Sequence, residues 1–173
     1  MPTVPLAEAK KPFTLAIDAG TSSVRALVFD NAGNPIEGAE AQIPYRIETT
    51  PDGGATFPAP ELFGLTVATI DQLVEAIGDA ASEITAAGTT SFWHSLLGLD
   101  ADGAPCTPIY YWSDICSAPD ALALREELNA NAVWQRTGCR LHPSYWPAKL
   151  RWLQRTEPKM VAQVARWCSF PEY

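Results

Sequence analysis

The sequence predicts an α/β domain, on three observations. Residues 13–17 and 24–29 are apolar runs of strand length, joined by a glycine-containing turn within LAIDAGTSSVRALVFD (15–30). Residues 58–87 then carry apolar side chains at helical spacing, with Phe63, Val67, Ile70, Leu73, Val74, Ile77 and Ile84 falling mostly on one stripe. Beyond that stripe the pattern returns to short strand-like runs and closes in helices. At 173 residues and 47% hydrophobic composition, the chain has material for one domain with a real core.

Each element has its own signal. Residues 1–12, MPTVPLAEAKKP, are rich in prolines and small residues and read as a loose leader; no apolar segment follows the two lysines, so it is not a secretory signal. After the hairpin, 31–35 is a turn and 36–47 a third, more polar strand. A Pro/Gly loop spans 49–56, and the long helix follows; Gly78 weakens it without ending it, and Gly88 marks its stop. Residues 89–93 form a strand leading to His94, 96–99 another, and 100–103 a turn. An apolar piece over 108–112 reaches Asp114. Ser117 and Asp120 have capping-box character and open a helix through about residue 129. A short helix over 133–137 ends at Gly138, helices cover 145–156 and 158–164, and 166–170 begins a further element. Three strands, a helix, a strand and more helices fit the ribonuclease H-like type of α/β domain.

Composition removes several functions. A net charge of −8 leaves no basic stripe for a nucleic-acid partner. No stretch is long and apolar enough to span a membrane. The scattered cysteines (Cys106, Cys116, Cys139, Cys168) read as reduced thiols of a cytoplasmic protein. Cys139 and His142 could both ligate a metal, but nothing near them completes a set.

The hairpin carries the chemistry. Gly20 lets a ligand approach the backbone where a Cβ would intrude. Thr21, Ser22 and Ser23 offer hydroxyls and successive N–H groups, the makings of an anion-binding concavity. Asp18, ending a buried strand, is placed to hold a cation or a metal-bound water. Such a turn suits polyphosphate with magnesium; the plainer alternative is a hairpin whose Asp and Gly serve only the turn. Asp-x-Gly-Thr-x-Ser-x-Arg, followed by apolar residues and Asp30, resembles the first phosphate motif of the actin-like ATPase superfamily. No Gly-Lys-Ser/Thr follows, so it is unlike a Walker loop.

From residue 89 onward the chain resembles the FGGY family of carbohydrate kinases. The segments TSFWHSLLGLD (90–100), PIYYWSD (108–114), TGCRLHPSYWPAKLRWL (137–153) and RWCSFPEY (166–173) have counterparts in that family's N-terminal domain, in the same order. The Trp-His pair points to the xylulokinase and gluconokinase branch. The resemblance implies ATP and Mg2+ as cofactors and a sugar, sugar acid or polyol hydroxyl as phosphoryl acceptor. It places Asp18, Gly20, Thr21, Ser22, Ser23 and Arg25 at the ATP phosphates, with Asp18 holding magnesium through water. It places Trp93, His94, Trp112, Asp114 and Tyr145 at the sugar. The mixture is chemically apt: aromatic rings cover the C–H faces of a polyol, while His and Asp fix its hydroxyls. The plain alternatives are core packing for Trp93 and Trp112, a structural role for His94, and helix capping by Asp114. Trp134, Trp152 and Trp167 read as core, and His142 as a loop residue.

The resemblance also implies what these residues lack. The family has two ribonuclease H-like domains around a cleft, and its catalytic aspartate, second phosphate motif and adenosine motif fall beyond Tyr173. Residues 13–173 then correspond to the N-terminal part of the first domain, expected to be inactive alone. An open sheet edge is expected to promote self-association. Cys116 stands where the family often has an arginine near the Trp-x-Asp aspartate, so Asp114 is expected to lack a charge partner. The acidic residue usual before the long helix is absent from ATFPAP (55–60). The alternative is a non-catalytic carbohydrate- or protein-binding module derived from this fold.

Overall fold

The computed structural model describes residues 3–173. In chain order the elements begin with β1 (Phe13–Ala19), β2 (Ser23–Phe29), β3 (Pro35–Pro44), β4 (Glu48–Thr49), β5 (Ala55–Phe57), α1 (Ala59–Ile77) and β6 (Ile84–Ser91). They continue with β7 (Leu97–Leu99), β8 (Ile109–Tyr110), α2 (Ala118–Glu127), α3 (Ala130–Thr137), α4 (Trp146–Thr156), α5 (Pro158–Val161) and β9 (Arg166–Cys168). The chain divides into two units: residues up to 46 with 61–92, and residues 47–60 with 93–173.

The first unit is a four-stranded sheet in the order β3-β2-β1-β6, with most of α1. β1, β2 and β3 form an antiparallel meander, and β6 runs parallel to β1. A parallel neighbour requires a crossover, which α1 provides. Strand alternation places Phe13 and Leu15 of β1 on one face with Ala26 and Val28 of β2, and Leu73 and Ile77 of α1 pack against them. The helix ends earlier than its apolar spacing predicts. Gly78 takes φ 54°, a left-handed conformation that stops an α-helix, and a 3-10 turn over Gly78–Glu83 leads into β6. β6 is an edge strand, exposed at residues 85–90.

Ahead of β1, where a loose leader is expected, Val4 pairs with Ile36: its N–H donates to the Pro35 carbonyl (3.0 Å), and its carbonyl accepts from Glu37 N–H (2.9 Å). Met1 and Pro2 lie outside the described residues. At the far end of the hairpin, buried Asp30 organises the turn into β3. Its carboxylate accepts from the N–H groups of Ala32 (2.9 Å), Asn34 (2.9 Å) and Lys10 (3.3 Å). These bonds, the Asn34 N–H foremost, hold its carboxyl below the ordinary 3.8. Because the folded pKa is the lower one, the stabilisation is complete above pH 3.8 and is lost as pH falls through the folded value. Asp30→Asn should therefore show a flatter acid limb in urea midpoint against pH. Parallel limbs for the two proteins would refute this.

The second unit has two small sheets, β4-β5-β8 and β7-β9, and the helices α2–α5. Its core gathers Leu96, Tyr110 and Leu153, with Trp152 and Trp167 packed alongside as expected. The loop expected over 49–56 is a turn over 50–54, with its ends taken into β4 and β5. The capping box expected at Ser117 does not form: its hydroxyl donates to the Pro143 carbonyl (2.9 Å), and buried Asp120 binds Arg155 (2.8 Å). α3 is delimited as expected at its end by Gly138 (φ 70°) and opens on Asn129, whose side chain accepts from Ala132 N–H. No helix among the described residues is long and apolar enough to cross a membrane.

Candidate active site

The phosphate-motif residues sit at the open end of the β1–β2 hairpin. Asp18 and Arg25 are register partners, so both project from the sheet face opposite Leu15 and Val28. Gly20 N–H donates to the Ser23 carbonyl (3.0 Å) to close the turn, and the Tyr45 hydroxyl donates to the Gly20 carbonyl. A Cβ built on Gly20 would stand 3.1 Å from the Ser23 oxygen and 3.9 Å from Asp18 Oδ2, so only glycine leaves this space open. Thr21 is half-buried and Ser22 exposed at the tip. Ser23 differs: it is buried, and its hydroxyl accepts from Gln42 Nε2 (2.9 Å) on β3. The structure thus brings Asp18, Gly20, Thr21, Ser22 and Arg25 to one end of the hairpin. The Ser23 side chain is tied into the sheet, because it already begins β2.

In the second unit, His94 adopts φ 62°, which for a residue with a Cβ costs about 1–3 kcal/mol and is characteristic of ligand sites. Its ring lies 4.5 Å from that of Tyr145 and 5.9 Å from that of Trp93, centroid to centroid. Trp93 is 77% exposed, which rules out the core alternative. Trp112 is half exposed too, and its carbonyl accepts from the Ser144 hydroxyl (2.6 Å), coupling it to the residue before Tyr145. His94 and Tyr145 line a pocket of about 350 Å3 with Arg140, Leu141, His142 and Trp146.

Asp114 is a correction. Expected at the sugar and without a charge partner, it is 1% exposed and paired with the fully buried Lys149. Lys149 Nζ donates to Asp114 Oδ1 (3.0 Å) and to its carbonyl (2.8 Å), while Oδ2 accepts from Ala55 N–H (3.0 Å). The carboxylate is consumed by protein partners, so it positions the chain between Trp112 and α4 rather than touching a ligand. Burial pushes the Lys149 ammonium below its ordinary value, against the opposing pull of Asp114. Burial and then the Asp114 charge push the neighbouring Cys116 thiol up to about 11, which leaves it protonated and unreactive at neutral pH.

Sequence reasoning misses two residues here. Lys149 sits one turn before Leu153 on the buried side of α4, and that placement is the signal for a buried cation. Arg140 gives none, because a loop has no periodicity, while His142 lies in a loop as expected. Trp134, expected in the core, is exposed and carries the Arg140 guanidinium 5.5 Å from its ring centroid. Among the described residues no cluster of three His, Cys, Asp or Glu side chains could hold a metal ion.

Comparison with known proteins concerns the chain as a whole. The family model for the N-terminal domain of the FGGY family of carbohydrate kinases matches residues 13–173. The gluconokinase of Bacillus subtilis is 26% identical over 161 residues, covering 93% of this chain and 31% of its own length. The xylulose kinase of Streptomyces coelicolor is 32% identical over 163 residues, covering 92% and 32%. The crystal structure of xylulose kinase from Rhodospirillum rubrum superposes with a TM-score of 0.87 at 24% identity, covering 93% of this chain and 33% of that one. That superposition establishes the actin-like ATPase fold. The chain spans about a third of the length of the relatives it matches.

Proposed function

The chain belongs to the FGGY family of carbohydrate kinases, and from that premise we propose that it supplies the phosphate-facing hairpin and the sugar-facing pocket of an ATP-dependent kinase. The acceptor is a hydroxyl of a small sugar, sugar acid or polyol. The observation that carries the reading is the open turn at Gly20, flanked by Asp18 and Arg25 on one sheet face. These residues fit a magnesium nucleotide: the glycine leaves room, the arginine matches phosphate, and the half-buried carboxylate suits a hydrated cation. Gly20, Thr21, Ser22 and Arg25 would hold the phosphates and Asp18 the magnesium through water. When bound, Mg-ATP supplies the phosphoryl group and its counter-charge.

The chain's own residues bind and orient. His94 and Tyr145 hydrogen-bond the sugar, Trp93 and Trp112 cover its C–H faces, and the Asp114–Lys149 pair keeps Trp112 and Tyr145 in place. Phosphoryl transfer depends chiefly on such positioning and on electrostatics. A proton must also leave the attacking hydroxyl, and among the described residues no Asp or Glu lines the pocket beside His94 and Tyr145. A general base is worth about 10²–10⁴ in rate. The chain spans about a third of the length of the relatives it matches, and the 173 residues by themselves should give no sugar-dependent ADP release in a coupled assay with xylulose, gluconate or glycerol. Mg-ATP should still perturb the amide resonances of residues 20–23. Turnover above background would sink the first statement, and unmoved amides would sink the assignment of the hairpin.

A further inference from the structure

The end of α2, the first turns of α3 and the loop after α3 enclose a second pocket, of about 330 Å3. Arg125, Asn131, Trp134 and Arg140 line it with Ala130 and Leu141, and no Asp or Glu does, although the chain has 20 acidic residues against 12 basic ones. Each guanidinium is held in place by something other than a carboxylate. Arg125 Nε donates to the Leu141 carbonyl (2.7 Å), and the Arg140 guanidinium lies 5.5 Å from the Trp134 ring centroid. Neither arginine forms an ion pair among the described residues. The arginines of α4 differ: Arg151 and Arg155 pair with Glu127 (2.5 Å) and Asp120 (2.8 Å) of the same α2.

Two guanidiniums in one pocket repel each other, and an anion bound between them reverses that. The bond to Leu141 uses one of the five N–H donors of Arg125, and its Nη groups stay available as a fork. A phosphate monoester brings about −1.5 to −2 charges at pH 7 and three acceptor oxygens, which guanidinium forks match in pairs. Ala130, Leu141 and the 43% exposed Trp134 ring are apolar walls that suit an organic group better than a bare ion. We propose that this pocket binds a small phosphate monoester, with Arg125 and Arg140 anchoring the phosphate and Trp134 and Leu141 flanking the organic part. The site is separate from the phosphate-facing hairpin, which belongs to the first unit, and it stands or falls without the kinase reading.

The 173-residue chain is titrated with phenyl phosphate, phenyl sulfate and inorganic phosphate at neutral pH and constant ionic strength. The readout is the indole N–H resonance of Trp134, assigned through Trp134→Phe. Phenyl phosphate should shift that signal and bind at least about tenfold tighter than phenyl sulfate, a monoanion, or inorganic phosphate, which has no organic part. Arg125→Met and Arg140→Met should each lose about tenfold, and the corresponding lysine substitutions should recover part of it. Arg136→Met removes an exposed arginine of α3 that does not line the pocket, and it should leave the affinity unchanged. Circular dichroism checks each fold; Arg140 is exposed and bonds no backbone carbonyl that holds the loop, so its variants decide the matter even if Arg125→Met loosens Leu141. Inorganic phosphate or phenyl sulfate binding as tightly as phenyl phosphate overturns the proposal by marking a generic anion site. An equal loss in Arg136→Met overturns it by marking diffuse charge, and an indole signal unmoved by phenyl phosphate overturns it outright.

Discussion

Lys149→Met should cost about 3–5 kcal/mol of stability, read from the urea unfolding midpoint. The substitution keeps the length and apolar stem of the side chain but removes the ammonium that faces Asp114 Oδ1 and its carbonyl. The Asp114 carboxylate, 1% exposed, is left with the Ala55 N–H alone, and water cannot reach it to compensate. Asp114→Leu made in the Lys149→Met background should restore much of the loss, since an apolar pair of similar volume is often as stable as a buried ion pair. A purely steric role for Lys149 predicts the opposite, with the double variant worse than the single one. The same cycle bears on function. Trp112 lies two residues before Asp114, and the Lys149 N–H donates to the Tyr145 carbonyl (3.3 Å), so Lys149→Met should also broaden the Tyr145 ring resonances, and the double variant should sharpen them.

The parts of the fold that were legible in the sequence are those whose causes are local. The β1–β2 hairpin follows from two alternating apolar runs and a turn that needs Gly20, and the register places Asp18 opposite Arg25 as a two-strand pairing must. The end of α3 at Gly138 is equally local. What escaped depends on partners distant in sequence. Asp114 takes its local meaning from Trp112 and Cys116, but its partner Lys149 lies 35 residues on. Ser117 has the sequence of a helix cap, and the Pro143 carbonyl, 26 residues away, takes its hydroxyl instead. His94 and Tyr145 each stand in a separate family motif; that they line one pocket with Arg140 is a tertiary fact without a local signal.

Leu73→Ala should cost about 2–5 kcal/mol, whereas Val67→Ala and Val74→Ala on the same helix should each stay within about 0.5 kcal/mol of the parent. Apolar spacing alone places all three residues on one stripe of α1. The structure separates them: Leu73 is 0% exposed within the cluster of Leu15, Val28 and Ile77, while Val67 and Val74 are 43% and 40% exposed. The buried face is drawn by Leu62, Thr69, Leu73 and Ile77, where Thr69 hides in the pattern because its hydroxyl donates to the Leu65 carbonyl and needs no water. Removing the Leu73 side chain opens a cavity directly under the two strands that carry Asp18 and Arg25. Amide exchange along β1 and β2 should therefore quicken in Leu73→Ala, and the response of residues 20–23 to Mg-ATP should weaken with it, because the turn keeps its shape only while its strands stay paired. Equal losses from both helix faces would mean that α1 buries a different side from the one described, and the link from that helix to the phosphate turn would fail.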